Sequence, residues 1–468
     1  MKTKTILGMT VTAAALLAAG CTVGPNYAKP HVDAPAVYRG APTQKAASAA
    51  TVSLGDEKWQ QVFRDPQLQA LIRTALQQNY DVRIAAANIL AAQAELGLTH
   101  SEELPSAAAQ AGANDQRQSR SKFFGPYTTS SNQLGLGAAW DLDFWGKYRR
   151  ATEAARAQLL GAEWAQREVE STLVASVAAG YFQLRELDQQ LAIARRTLAS
   201  RKDSLHLTQV LAQHGATSEL DVRQAEQLVY AAAESIPDLQ RRIAQQEDAI
   251  SVLVGRNPAA VTRGLTLTAQ PLDLNVPAGL PSSLLERRPD IRAAEQQIVA
   301  ANARIGVAKA AYFPDIKLTA VGGFATSALT GLFSGGAGTW NFGGSLTEPL
   351  YVGGSLKNTV RLAEAQRQQA LLRYKQTVQN AFREVSDALA GLQRNQEFLQ
   401  QQKLLTQSAQ AATKLSRMRY QGGAASYLEV LDSETRDFSA QLTLAQAQLN
   451  QELSLVELYR ALGGGWQQ

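Results

Sequence analysis

The chain has 468 residues, with 46 basic and 41 acidic side chains and a formal net charge of +5 at pH 7. Two of those positive charges, Lys2 and Lys4, fall in an N-terminal leader, and no basic run elsewhere forms a phosphate-binding stripe, which excludes nucleic acid as a partner. The one cysteine, Cys21, excludes a disulfide within the chain, and the four scattered histidines lack ligand spacing, so no metal or other cofactor is expected.

The leader comes first. Lys2 and Lys4 precede an uncharged stretch from Thr5 to Gly20, too short for a membrane-spanning helix, and Leu16 to Gly20 runs into Cys21. Residues 1–20 therefore read as a secretory signal, and Ala19-Gly20-Cys21 resembles a bacterial lipoprotein box that makes Cys21 the acylated first residue. Acylation anchors by burying methylene groups, and stable attachment takes more than one acyl chain. Residues 21–58 are read as the acylated N-terminal segment.

The remainder repeats itself at a spacing of about 208 residues. Tyr80-Asp81-Val82-Arg83 aligns with Pro289-Asp290-Ile291-Arg292, and Leu104-Pro105 with Phe313-Pro314. One residue out of that register, Trp145-Gly146 aligns with Gly353-Gly354, and Leu220-Asp221-Val222 with Leu428-Glu429-Val430. Duplication of one structural unit follows. Repeat 1 covers 59–260, an equatorial linker 261–285, and repeat 2 covers 286–468.

Each repeat opens with helical sequence and then alternates. Leu134, Leu136, Ala138, Trp140, Leu142 and Phe144 face one side, with Gln133, Gly135, Gly137, Asp141 and Asp143 on the other. A weaker partner alternates over Ala107, Ala109, Ala111 and Ala113. In repeat 2, Ile316, Leu318, Ala320 and Phe324 oppose Asp315, Lys317 and Thr319, and the pattern resumes at Trp340 and Phe342. Period two means strands. Loops are expected over 119–132 and 327–338, giving one hairpin at about 105–144 and another at about 313–350. The strand lengths suit a tilted membrane-spanning strand, and Trp140, Phe144, Trp145, Phe313, Phe324, Trp340 and Tyr351 suit interfacial girdles. Four strands cannot close on themselves, and an open edge in lipid leaves backbone groups unpaired, so the chain must oligomerise. Three copies give twelve strands.

After each hairpin comes a long helix. From Tyr148 to His214 there is no proline, and Val177, Leu184, Leu191, Leu198 and Leu205 recur at heptad spacing beside Leu173, Gly180, Leu187 and Ala194. Its counterpart runs from Leu356 to Gln421, and each spans on the order of 100 Å. Both end in glycine turns, at Gly215 and at Gly422-Gly423. Ser218 and Ser426 are placed to cap the returning helices. Pro237 is expected to kink or split the first return.

These features resemble the outer membrane factor family of TolC-like and OprM-like channels, in the NodT-type lipoprotein branch that serves efflux pumps. The resemblance rests on Cys21 to Pro30, Trp59 to Phe63 with Asp65-Pro66 and Leu68, and Glu286 to Ile291. It extends to Leu350 to Gly354, Arg419 to Leu431 and Ala461 to Trp466. It implies a mostly α fold with membrane β-structure: a homotrimer whose protomers each lend four strands to a twelve-stranded β-barrel, with long helices forming a periplasmic α-barrel. It implies location in the outer membrane, anchored by lipid on Cys21, and a passive duct for drugs and other toxic small molecules. The partners implied are a periplasmic adaptor and an inner-membrane RND pump. Gly215, Ser218, Gly422, Gly423 and Ser426 would form the adaptor-docking tips. Glu429 and Asp432 would line the pore gate, with Tyr420 bonded to Asp221 to hold the tip shut. Ala424 and Ala425 stand where some relatives carry a further acid. An exit duct for type I secretion or metal efflux, or a lipid-anchored helical scaffold without a pore, are the alternative readings. No enzyme is expected: Gly-x-Ser-x-Gly is absent, and Gly331 to Gly338 lacks the Lys-Ser/Thr of a phosphate loop.

Overall fold

A computed structural model describes residues 22–39, 53–119, 125–270, 279 and 281–467. The expected signal and the acylated Cys21 lie outside the described residues. Helix α1 spans Pro66–Gln78 and α2 Tyr80–Ser101. Strands β1 (Ser106–Gln118) and β2 (Tyr127–Leu142) follow, then α3 (Lys147–Gln213) and α4 (Glu219–Leu253). The second series is α5 (Pro289–Ala310), β3 (Asp315–Thr326), β4 (Gly338–Thr347), α6 (Ser355–Gln421) and α7 (Tyr427–Ala461). The duplication is reproduced in element lengths: α3 and α6 have 67 residues each, α4 and α7 have 35, and α2 and α5 have 22.

Two packing units emerge, and each draws on both repeats. Of the described residues, those within 22–31, 88–163 and 293–375 form unit 1, and those within 32–87, 164–292 and 376–467 form unit 2. A repeat is thus a unit of sequence rather than of packing. Unit 1 holds all four strands in one antiparallel sheet of order β1-β2-β3-β4. The N-terminal segment packs here as well: Val23 N–H donates to the Trp145 carbonyl at 3.0 Å, and Arg150 donates to Asn26 at 2.8 Å. A Cβ on Gly24 (φ +102°) would run into the Gly306 backbone, and one on Gly306 would meet the Val23 carbonyl and the Arg150 side chain.

Unit 2 is helical, with a core of Trp59, Leu68, Ile72, Tyr181, Leu184, Ile250, Leu284 and Tyr459. Asp65 is its polar centre. Its carboxylate caps α1 by accepting from Gln67 N–H (2.8 Å), and it accepts from the Tyr181 hydroxyl (2.9 Å), Leu265 N–H (2.8 Å) and the Gln270 amide (3.0 Å). Burial raises the pKa of Asp65, but these donors outweigh it and hold the group below its ordinary value. No helix among the described residues is long and apolar enough to cross a membrane.

Two expectations need correction. Pairing of Tyr127 with Gln118 makes the first hairpin loop shorter than 119–132. The added residues, Tyr127-Thr128-Thr129-Ser130-Ser131, lack apolar alternation, so periodicity missed a strand that β-branched residues and a paired partner support. Of the kink or split expected at Pro237, the split does not occur, and α4 is continuous from Glu219 to Leu253. Buried Ala232 and Leu239 hold the helix on either side of the proline, so packing offsets the lost hydrogen bond.

Candidate functional site

The sheet of unit 1 is built inside out by the standards of a water-soluble protein. Its register sets Leu136, Gly322 and Trp340 in one row, Ala138, Ala320 and Phe342 in the next, and Leu142, Ile316 and Leu346 in another. Directly opposed residues share a face. That face is open in the single chain: Leu136 is 69% exposed, Trp340 83%, Phe342 69% and Leu346 66%. The opposite face carries Gln110, Gly135, Gly323 and Thr339 in one row and Asp141, Lys317 and Ser345 in another, with Lys317 Nζ 3.7 Å from Asp141.

Aromatic side chains gather at the two ends of the strands. At one end Trp145 stacks on Phe313 (4.7 Å, 23°) and donates to the Pro314 carbonyl at 2.9 Å, while Trp140 donates to the Glu103 carbonyl at 3.0 Å. At the other, Phe324 meets Phe333 edge-on at 5.6 Å. A contiguous apolar face bounded in this way, with β1 and β4 each unpaired along one edge, matches a surface that meets lipid and further strands.

In unit 2 the two helix-ending turns repeat bond for bond. Ala216 N–H donates to the Leu211 carbonyl and Gly215 N–H to Ala212; Ala424 N–H donates to Arg419 and Gly423 N–H to Tyr420. Gly215 and Gly423 take φ of +73° and +70°, the left-handed conformation that ends a helix this way and favours glycine. After the turns the two diverge. Ser218 caps α4, accepting from Asp221 N–H while the Asp221 carboxylate accepts from Ser218 N–H. Ser426 makes no side-chain cap, contrary to the expectation from sequence. The longer Glu429 reaches Arg419 (3.3 Å) instead of folding back on the turn.

Tyr420 also departs from expectation. Its hydroxyl donates to Thr217 Oγ1 at 3.4 Å, and Thr217 in turn donates to Asp221, so the link to the aspartate runs through the threonine. Burial raises the Asp221 pKa, but the donors Thr217 and Ser218 outweigh it and leave the carboxyl below its usual value. Asp432 pairs with Arg436 at 2.9 Å. Both presumed gate acids are therefore matched by arginines that sequence reading did not weigh.

Sequence reading also missed a buried ion cluster near these turns. Arg201 on α3 and Glu434 on α7 are 3% and 2% exposed, and Arg417 on α6 donates to Glu434 at 2.8 Å. A signal was present: Arg201 is the next heptad member after Leu173, Gly180, Leu187 and Ala194, a charge in an apolar seam. Beside it Ala225, Tyr427 and Val430 form a small core with Leu205, Tyr420 and Leu431 packed against it.

An antiparallel sheet with an exposed apolar face, aromatic ends and two unpaired edges fits the class of outer-membrane β-proteins. The chain belongs to the outer membrane efflux protein family, whose model matches residues 71–256 and 280–464, and it resides in the outer membrane. It is 38% identical to the probable efflux pump outer membrane protein TtgC of Pseudomonas putida, over 99% of this chain and 96% of that one. It is 34% identical to the cation efflux system protein CusC of Escherichia coli, over 97% of this chain and 98% of the relative. The solved outer-membrane channel OprN superposes with a TM-score of 0.88 at 31% identity, covering 95% of this chain and all of the other.

Proposed function

We propose that three copies of this chain close a twelve-stranded barrel in the outer membrane, and that their long helices form an α-barrel across the periplasm. The duct so formed is the passive exit of a tripartite efflux pump, taking drugs and other toxic small molecules from an inner-membrane RND pump through a periplasmic adaptor. The observation that carries this reading is the four-stranded sheet with its apolar face open and both edges unpaired. An unpaired backbone group in lipid costs several kcal/mol, so such a sheet persists in a bilayer only when strands of other copies seal it. Three copies give an even strand number within the range of known barrels.

Lipid on Cys21 anchors each copy beside its strands. The turns at Gly215 to Ser218 and Gly422 to Ser426 dock the adaptor, and Glu429 and Asp432, with Asp221 and Tyr420 behind them, control the mouth. No bond is made or broken, and the work is done by the pump. Relatives named for general efflux and for cation efflux share this chain's full length, which supports assigning cargo to the pump rather than to the duct.

Planar-bilayer recording of the purified protein, with cross-linking to count subunits, tests the reading. Expected are discrete ion-conducting steps from a trimer. A non-conducting monomer overturns it. Deleting the gene should sensitise cells to organic drugs; sensitivity to copper or silver salts alone would reassign the duct to metal efflux.

A further inference from the structure

Four long helices of unit 2 converge on one buried ion cluster. Arg201 of α3 donates to the Leu228 carbonyl of α4 at 2.8 Å and to the Glu434 carbonyl of α7 at 3.4 Å, and its guanidinium lies over the Phe438 ring at 5.0 Å. Its Nε faces Glu434 Oε2 at 3.8 Å, close enough for an ion pair, yet neither atom has a hydrogen bond. The other carboxylate oxygen of Glu434 accepts from Arg417 of α6, at 2.8 Å from Nε and 2.7 Å from Nη2. Glu434 thus joins α7 to both preceding long helices, and Arg201 adds α4.

Burying charge this deeply is a poor way to gain stability, because well-packed apolar residues of similar size do as well or better. Direction is what such a cluster supplies. The neighbouring core of Ala225, Tyr427 and Val430 packs by non-directional apolar contact, whereas Thr413 and Ser416 of α6 already bond Ser433 of α7, so the distinct contribution of the cluster is to tie α7 to α3 and α4 as well. A shift of α7 by one residue, about 1.5 Å of rise and 100° of turn, would leave two guanidiniums without their carboxylate. Glu434 follows Asp432 by two residues and Glu429 by five on the same helix, so whatever holds Glu434 also holds those acids.

We propose that Arg201, Glu434 and Arg417 are positioning residues that lock the register of α7 against α3, α4 and α6, and thereby hold Glu429 and Asp432 in their resting place at the mouth of the duct. The proposal rests on the duct reading. An opening movement must break this cluster, so its charge pairing sets how tightly the resting state is kept.

The test compares wild type, Glu434→Gln and the double variant Arg201→Met/Glu434→Leu in planar bilayers, alongside subunit cross-linking and thermal melting. Glu434→Gln leaves a buried guanidinium uncompensated and could fail to assemble. The double variant removes both buried charges, and half-exposed Arg417 can turn to solvent. Expected is a double variant that assembles and melts at or above the wild-type temperature, yet passes several-fold more resting current. A role in stability alone would lower the melting temperature and leave the current unchanged. Wild-type current in a well-assembled double variant overturns the proposal and leaves the duct standing. Absence of current from every protein, including one with Glu429→Ala and Asp432→Ala, overturns the duct reading and the proposal with it.

Discussion

Asp221 and Glu429 hold the same place in the two repeats, 208 residues apart, and are bonded differently: Asp221 folds back into a capping box with Ser218, while Glu429 pairs with Arg419 at 3.3 Å. One methylene separates them, and it decides whether the carboxylate reaches its own turn or a neighbouring helix. Ser218→Ala should therefore cost about 1 kcal/mol at the first turn, and Ser426→Ala close to nothing. Amide hydrogen exchange would show faster opening at residues 219–222 in the first variant and no matching change at 427–430 in the second.

The arginine partners make a distinct prediction. Removing Arg419 by Arg419→Ala leaves Glu429 uncompensated, so cation preference in bilayer recordings should rise. Both groups are about half exposed, and salt screens such pairs. The change in reversal potential should be plain at about 0.01 M salt and vanish near 1 M, where the Debye length falls to about 3 Å. An effect that persists at high salt would argue against a simple charge effect.

Asp65 should be the acid-sensitive point of unit 2. Its folded pKa is depressed, so the stability it contributes is present above the unfolded value of about 3.9 and is lost as pH falls through the lower folded value. Asp65→Ala strands the Tyr181 hydroxyl and the backbone N–H groups of Gln67, Leu68 and Leu265, at a cost on the order of 3 kcal/mol or more. Melting measured against pH should show wild type losing stability below about pH 4 and the variant already low and flatter there.

Glu452 on α7 predicts the opposite slope. It is 3% exposed, its Oε2 has no hydrogen-bond partner, and burial pushes its pKa up to about 8. From about pH 5 to about 8 the unfolded chain ionises this group while the folded chain keeps the proton, so its contribution to stability falls as pH rises across that window. Glu452→Gln removes the titration and should flatten the melting-temperature profile between those limits. An unchanged profile would mean that the group is ionised in the folded protein.

The sheet predicts a face-dependent tolerance to charge. Leu136→Arg lies on the open apolar face and should cost about 2–4 kcal/mol if buried at the bilayer midplane. Thr319→Arg, on the opposite face, should be accepted with little loss. Protein recovered in the outer-membrane fraction would measure both, and equal loss from the two variants would contradict a lipid-facing side.

Much of this was legible because the relevant signals are periodic. The alternation around Leu134 to Leu142 and Ile316 to Phe324 marks strands and divides their faces, and the repeat pairs long helices that prove equal in length. Where periodicity fell silent, the reading failed: Tyr127 to Ser131 carry hydroxyls on both faces, and their strand is visible only through pairing with Asn114 to Gln118. Ser218 and Ser426 look equivalent in sequence, but their bonds depend on side-chain length and on where Arg419 lies. The family resemblance implies a bond from Tyr420 to Asp221, and Thr217 stands between them.

Residue order alone determined the duplication, the hairpins, the long helices and the need for strands from other copies, because each follows from local period or from backbone hydrogen bonds that one chain cannot satisfy. Only the tertiary structure decided which charges are paired and which are buried. Arg201 lies 233 residues from Glu434, and Asp65 lies 116 from Tyr181 and 200 from Leu265. Partners at such separations are chosen by how helices pack rather than by any spacing a linear sequence records.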